Sequence, residues 1–241
     1  EVAREGRIEF IAETPGQMMG RVDAVMVVFR HGDLHAEYAL PFIEAGIPTW
    51  VDKPFSISNE DAKRMIDAAK RNNTLLAGGS TCKFIYDILM TRNEVKNESR
   101  IGSFKTAVMN FPATLDNEYG GIYFYGAHLV EMAMAAFGYD AVSVVASEKN
   151  GLVTAIVKYD RYQVTLNFIP GLYEYYAILY GEKGVIKREI DINDCYVKGF
   201  ESFAEMLRSR KMPLSFETLY KPVALLNAIV KAYETGDEIY L

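Results

Sequence analysis

Cysteine and histidine are scarce in this chain: two and three of 241 residues. Cys82 and Cys195 stand far apart in the sequence and match no zinc spacing, and His31, His35 and His128 suggest no complete ligand set. Neither a metal site nor a disulfide is therefore expected. Apolar runs are short as well. None approaches the roughly 20 residues that cross a bilayer, and the first residues have neither the basic start nor the apolar stretch of a secretion signal. The expectation is a cytoplasmic protein with no membrane partner. Basic charge is also lacking: 26 Lys and Arg against 32 Asp and Glu leave a formal net charge of -6, with no field to attract nucleic acid. There is no internal repeat or low-complexity tract. No two glycines are separated by a single residue, so the Gly-x-Gly-x-x-Gly phosphate loop is absent. Gly16 and Gly20 do not replace it, because no convincing buried strand precedes them.

What is present is a globular composition, 50% hydrophobic and 24% charged. Residues 23–29 are apolar after Asp23, as a parallel strand covered on both faces would be. Residues 34–45 predict a helix stopped by Gly46 and weakened locally by Pro41, and 48–51 return as a short strand. Ser58 is a good N-cap, and Ala62, Met65, Ile66 and Ala69 form an apolar stripe at helical spacing that ends near Asn72. The next strand is 74–77. After Gly78 and Gly79 the pattern changes: helices at 84–95 and 122–137 bracket a strand at 104–111, and strands follow from 141 to about 190. Tyr162, Val164, Leu166 and Phe168 alternate with polar residues there, the mark of a sheet buried on one face. Two closing helices, 199–210 and 216–235, are expected against that sheet.

Ligands of open parallel sheets bind beyond the carboxyl ends of the strands, where Asp52, Lys53 and Pro54 fall. A lysine there can bond a substrate hydroxyl and assist proton removal as hydride leaves the carbon. On the tripeptide alone, a solvated loop lysine is the commoner case. Phe124, His128 and Glu131 share one helix face at i, i+4 and i+7, so His128 could act as acid or base with Glu131 holding its orientation. A packed core histidine is the alternative. His31 and His35, also i and i+4, fit capping or packing better than a metal pair.

In order along the chain, these strings resemble the glucose-fructose oxidoreductase, inositol dehydrogenase and rhizopine-catabolism (Gfo/Idh/MocA) family. The stretch 22–28 with 34–40 resembles the family's strand and helix, and Val51-Asp-Lys-Pro-Phe55 its Glu-Lys-Pro signature with Asp52 for Glu. Gly79 to Phe84 falls at its next loop, Gly126, His128 and Glu131 match its Gly-x-His-x-x-Asp helix, and Gly181 to Gly184 matches a glycine-bounded turn. The resemblance implies an α/β protein. An incomplete Rossmann-type parallel sheet, a partial dinucleotide-binding domain at 1–82, would be followed by an α+β domain at 83–241 with a mostly antiparallel open sheet for substrate and oligomer contacts. A further strand, glycine-rich turn, helix and strand, on the order of 60 residues, would precede residue 1.

The implied activity is NAD- or NADP-dependent hydride transfer at a hydroxyl carbon of a sugar, polyol or glycoside, in a homo-oligomer, dimer or tetramer, formed through the second sheet. Lys53 and His128 are the implied catalytic pair. Phe29, Arg30, His31, Asp52, Lys53 and Pro54 would contact the cofactor, and Lys83, Tyr123, Tyr125 and His128 the substrate. One departure stands out: the family's Asp four residues before the histidine is Phe124 here. It supports the alternative of a non-catalytic dinucleotide-binding regulatory or scaffold protein of the same fold.

Overall fold

The computed structural model describes residues 2–98 and 100–241. Helix α1 (Val2–Glu5) and a 3-10 turn (Pro15–Met18) lead to three parallel strands, β1 (Val25–Val27), β2 (Thr49–Val51) and β3 (Leu76–Gly78), in the order β1-β2-β3. Helices α2 (Leu34–Glu44) and α3 (Asn59–Asn72) make the crossovers. Strand β1 is shorter than the apolar run 23–29 predicts. The carbonyl of Phe29 is held by the His35 ring at 2.9 Å, and the chain turns there. Helix α2 continues past Pro41. The carbonyl that this proline leaves without an intrahelical donor belongs to Glu37, an exposed residue whose backbone can turn to water. Helix α3 is closed at both ends as its sequence requires: Ser58 Oγ accepts from the Asp61 N–H at 3.2 Å, and Asn73 takes the left-handed conformation.

A 3-10 turn (Thr81–Phe84) and α4 (Tyr86–Asn97) connect to β4 (Phe104–Phe111) and the long apolar α5 (Ile122–Phe137). Strands β5 (Ser143–Lys149), β6 (Leu152–Lys158), β7 (Gln163–Phe168), β8 (Tyr176–Gly181) and β9 (Val185–Glu189) follow, then α6 (Cys195–Ser209), α7 (Phe216–Thr235) and β10 (Ile239–Tyr240). The second sheet runs β10-β5-β6-β7-β4-β8-β9, antiparallel except where β4 lies parallel to β7. It is the mostly antiparallel sheet that the alternation predicts. Ala107, Met109, Val164, Leu166, Val153 and Ala155 point to one face and are buried beneath α5 and α7. The opposite face, with Thr154, Ile156, Thr165 and Asn167, is half-exposed.

The closing helices do more than cover the second sheet. Phe203 and Met206 of α6 pack on Trp50 and Ala77 of the first sheet, and Leu219 and Val223 of α7 join Val51, Met65 and Leu76. Each such fully buried apolar side chain contributes roughly 1.5–3 kcal/mol. The two sheets are therefore tied together by helices from the far end of the chain, and the crevice between β1–β3 and α5 has fixed walls.

Candidate functional site

Lys53 leaves the carboxyl end of β2 directly toward α5. Its ammonium lies 3.6 Å from the Phe124 ring centroid and 5.3 Å from that of Tyr125, and it donates to the Phe124 carbonyl at 3.3 Å. Only 9% of Lys53 is exposed. Burial pulls its pKa down to about 8, against the opposing influence of Asp52 and Cys82, while Arg30 pulls it down further. A cation facing aromatic rings keeps a favourable electrostatic contact and can still give up its proton.

His128 approaches the same region from α5, and the charge of Lys53 acts on it. Its Nδ1 lies 2.7 Å from Ser80 Oγ and 3.6 Å from Cys82 Sγ, while Phe111 and Tyr125 flank the ring at 5.4 and 5.8 Å between centroids. Burial, followed by repulsion from Lys53, lowers its pKa to about 3, so the imidazole is neutral at physiological pH. Glu131 does not orient it, contrary to the helix-face expectation. Its carboxylate is engaged by the Ser80 N–H and Lys83 Nζ, each at 2.6 Å, and Lys83 also donates to the Gly78 carbonyl at 2.6 Å. Burial pushes the Glu131 carboxyl up and Lys83 draws it back. This ion pair clamps the β3 turn to α5, and Gly79 permits it: φ is 76°, and a Cβ would lie 2.4 Å from Glu131 Oε1.

The other expected site residues divide. Tyr125 is at the site, 40% exposed and beside both Lys53 and His128. Lys83 is buried and bonded to Gly78 and Glu131, so the structure gives it a clamping role in place of a substrate contact. Tyr123 points away, its hydroxyl donating to Asn227 Oδ1 of α7 at 3.0 Å; adjacent helix positions face about 100° apart. Phe29 packs on Tyr38 and the His35 ring. Arg30 bonds the Tyr119 hydroxyl at 2.8 Å, bringing a cation to the rim. His31 pairs with Asp33 at 2.6 Å and lies against Gly120. The Pro54 carbonyl is bound to the buried His35 ring at 2.7 Å, the packing role expected for that histidine. Asp52, its carboxyl pushed up by burial, lines a cavity of about 160 Å³ with Trp50, Thr81, Tyr196 and Phe200.

Ser80 was not legible as a site residue, nor were the aromatic neighbours Phe111 and Tyr119. Cys82 and Cys195, distant in sequence, are neighbours in space, and their mutual influence draws Cys195 down to about 6 and pushes Cys82 up. Both thiols are free. Among the described residues, no group of three or more His, Cys, Asp or Glu could hold a metal ion, and no helix is long and apolar enough to cross a membrane.

Ligands of open parallel sheets bind in the crevice beyond the carboxyl ends of the strands, and Lys53 and His128 meet there. Residues 1–80 match the family profile GFO_IDH_MocA, described as an oxidoreductase family with an NAD-binding Rossmann fold. The match is confined to these first 80 residues. An uncharacterized oxidoreductase of Schizosaccharomyces pombe is 23% identical over 156 residues, which are 61% of this chain and 42% of that protein, so the match spans less than half the relative's length. Among solved structures, GenD2 of gentamicin A biosynthesis, crystallised with NAD, superposes with a TM-score of 0.85 at 15% identity, covering 100% of this chain and 84% of its own. The WlbA dehydrogenase of Bordetella pertussis, crystallised with NADH and UDP-GlcNAcA, gives 0.83 at 19% identity and covers 100% and 86%. At these identities the structural likeness establishes the fold.

Proposed function

We propose that the protein is an NAD-dependent oxidoreductase that moves a hydride to or from a hydroxyl-bearing carbon of a sugar, polyol or glycoside. The observation that carries this reading is the convergence of Lys53 and His128, one cation held near a pKa of about 8 and one neutral imidazole, at the carboxyl edge of the parallel sheet. The match of residues 1–80 to an NAD-binding family supports the cofactor, and the neighbour crystallised with UDP-GlcNAcA supports a carbohydrate-like substrate.

The residues present fit the nicotinamide end of such a cofactor. Asp52 beside its cavity, Lys53, and the backbone of Phe29, Arg30, His31 and Pro54 lie beyond the carboxyl ends of the strands, the side on which open parallel sheets bind dinucleotides, and this supports the reading. The glycine-rich pyrophosphate loop is not among these 241 residues. The dinucleotide, when bound, supplies a two-electron hydride acceptor or donor. This chain binds the substrate oxygen between Lys53 and His128, with Tyr125 on the exposed side, and its aromatic walls exclude water from the reacting carbon. We extend the proposal to association of copies through the half-exposed face of the second sheet.

The test is a titration of the full protein with NAD and NADP followed by turnover over a panel of sugars, inositols and glycosides. Binding with turnover of a carbohydrate alcohol is expected. Failure to bind either dinucleotide would sink the reading, and tight binding without turnover would favour the regulatory alternative, for which Phe124 over Lys53 is the structural argument.

A further inference from the structure

Ser80 lies between His128 and the Cys82 backbone, within hydrogen-bond reach of both. Its side chain is completely buried, and its Oγ accepts the Cys82 N–H at 3.2 Å. A serine hydroxyl has one hydrogen to give, and the nitrogen within reach is His128 Nδ1 at 2.7 Å. The Cys82 sulfur, also close, is a much weaker acceptor. With Nδ1 as acceptor the hydroxyl hydrogen meets a ring nitrogen; with Nδ1–H it would be left to the Cys82 sulfur. A neutral imidazole that accepts at Nδ1 carries its own proton on Nε2. Ser80 is itself immobilised, since its N–H is bonded to Glu131 and Glu131 to Lys83.

We infer that Ser80 fixes His128 in the Nε2–H form, so that His128 serves the substrate oxygen as a hydrogen-bond donor and Lys53 is the group that takes and returns the proton. The inference rests on the oxidoreductase reading above and deepens it. An Nε2 that already bears hydrogen has no lone pair with which to accept a hydroxyl proton. Lys53 is free to do so: its ammonium contacts a carbonyl and two aromatic rings, and among the described residues no carboxylate forms an ion pair with it. In oxidation the substrate O–H proton passes to the neutral Lys53 amine and forms an N–H bond. The C–H bond would break with both electrons leaving as the hydride that a bound dinucleotide would accept, and the C=O bond would form. In reduction the Lys53 ammonium returns the proton to the carbonyl oxygen as hydride arrives. The charged and titratable groups facing Lys53 are Asp52, Cys82, Arg30, His128 and Tyr125. Ser80 is a positioning residue in this scheme, touching the imidazole and not the reacting atoms.

The experiment is long-range 15N–1H correlation spectroscopy of the full protein with labelled histidine at neutral pH, with His128 assigned by its loss in His128→Asn. The expected spectrum has a protonated Nε2 and a bare Nδ1. Ser80→Ala should release this fixed form, and Ser80→Thr should retain it. A wild-type Nδ1–H signal would overturn the inference without any variant, as would a Ser80→Ala spectrum identical to wild type. This readout needs no turnover. A failed tautomer in a protein that still binds and reduces NAD counts against this inference alone, whereas absent dinucleotide binding counts against the oxidoreductase reading.

Discussion

Lys53 and Lys83 are both almost wholly buried, 9% and 3% exposed, yet they sit in opposite electrical surroundings. Lys83 has a carboxylate and a carbonyl, both at 2.6 Å. Lys53 has aromatic faces and one carbonyl at 3.3 Å, and its pKa falls to about 8. Burial beside a carboxylate makes a structural cation. Burial against π-faces makes one that can change protonation near neutrality.

The largest effect on that contrast should come from Lys83→Met. It leaves Glu131 buried without its ion partner, a loss on the order of 3–5 kcal/mol, and thermal unfolding should shift down by about 10 °C. Lys53→Met should do the reverse: stability changed by about 1 kcal/mol or less, turnover reduced on the order of 100-fold or more. Equal loss of stability in the two variants would erase the distinction. Phe124→Asp sharpens it by giving Lys53 a carboxylate, which should raise the basic limb of the oxidation pH profile by about one unit.

His128→Asn probes the same contrast through acid stability. The unfolded imidazole binds a proton below its ordinary pKa of 6.5, whereas the folded one resists until about 3. Between those values the unfolded state holds more protons, so this residue's contribution is lost as pH falls through the window. The variant should lose less stability than wild type over that range in acid denaturation followed by circular dichroism. The smallest effect is expected from Tyr123→Phe, which removes the bond to Asn227: about 1 kcal/mol in stability and an unchanged KM.

Much of the scaffold was legible because burial leaves a local trace. The apolar run at 23–29, the Ser58 cap and the alternation through 162–168 each report on the residue's own element, and each gave the right element. The site was legible only in part. Lys53 could be singled out because strand ends bind ligands, and Ser80 lies just beyond the end of the next strand under the same rule. Its partner His128, however, lies 48 residues further on, and no spacing rule reports a contact that the β3 turn makes with a distant helix. Glu131 stood one turn beyond His128 on the same helix face, yet the sequence could not reveal that Lys83 and the Ser80 N–H compete for its carboxylate more effectively. Tyr123 and Tyr125 look equivalent in composition; only the seat of α7 beside α5 sends Tyr123 to Asn227.

The measurement that bears most directly on the account is the pH dependence of kcat/KM for alcohol oxidation in the wild type, Lys53→Met and His128→Asn. The account predicts a rise with an apparent pKa near 8 in the wild type, retained at reduced amplitude in His128→Asn and absent from Lys53→Met. A limb that persists in Lys53→Met and disappears in His128→Asn would contradict it, returning the proton to the histidine.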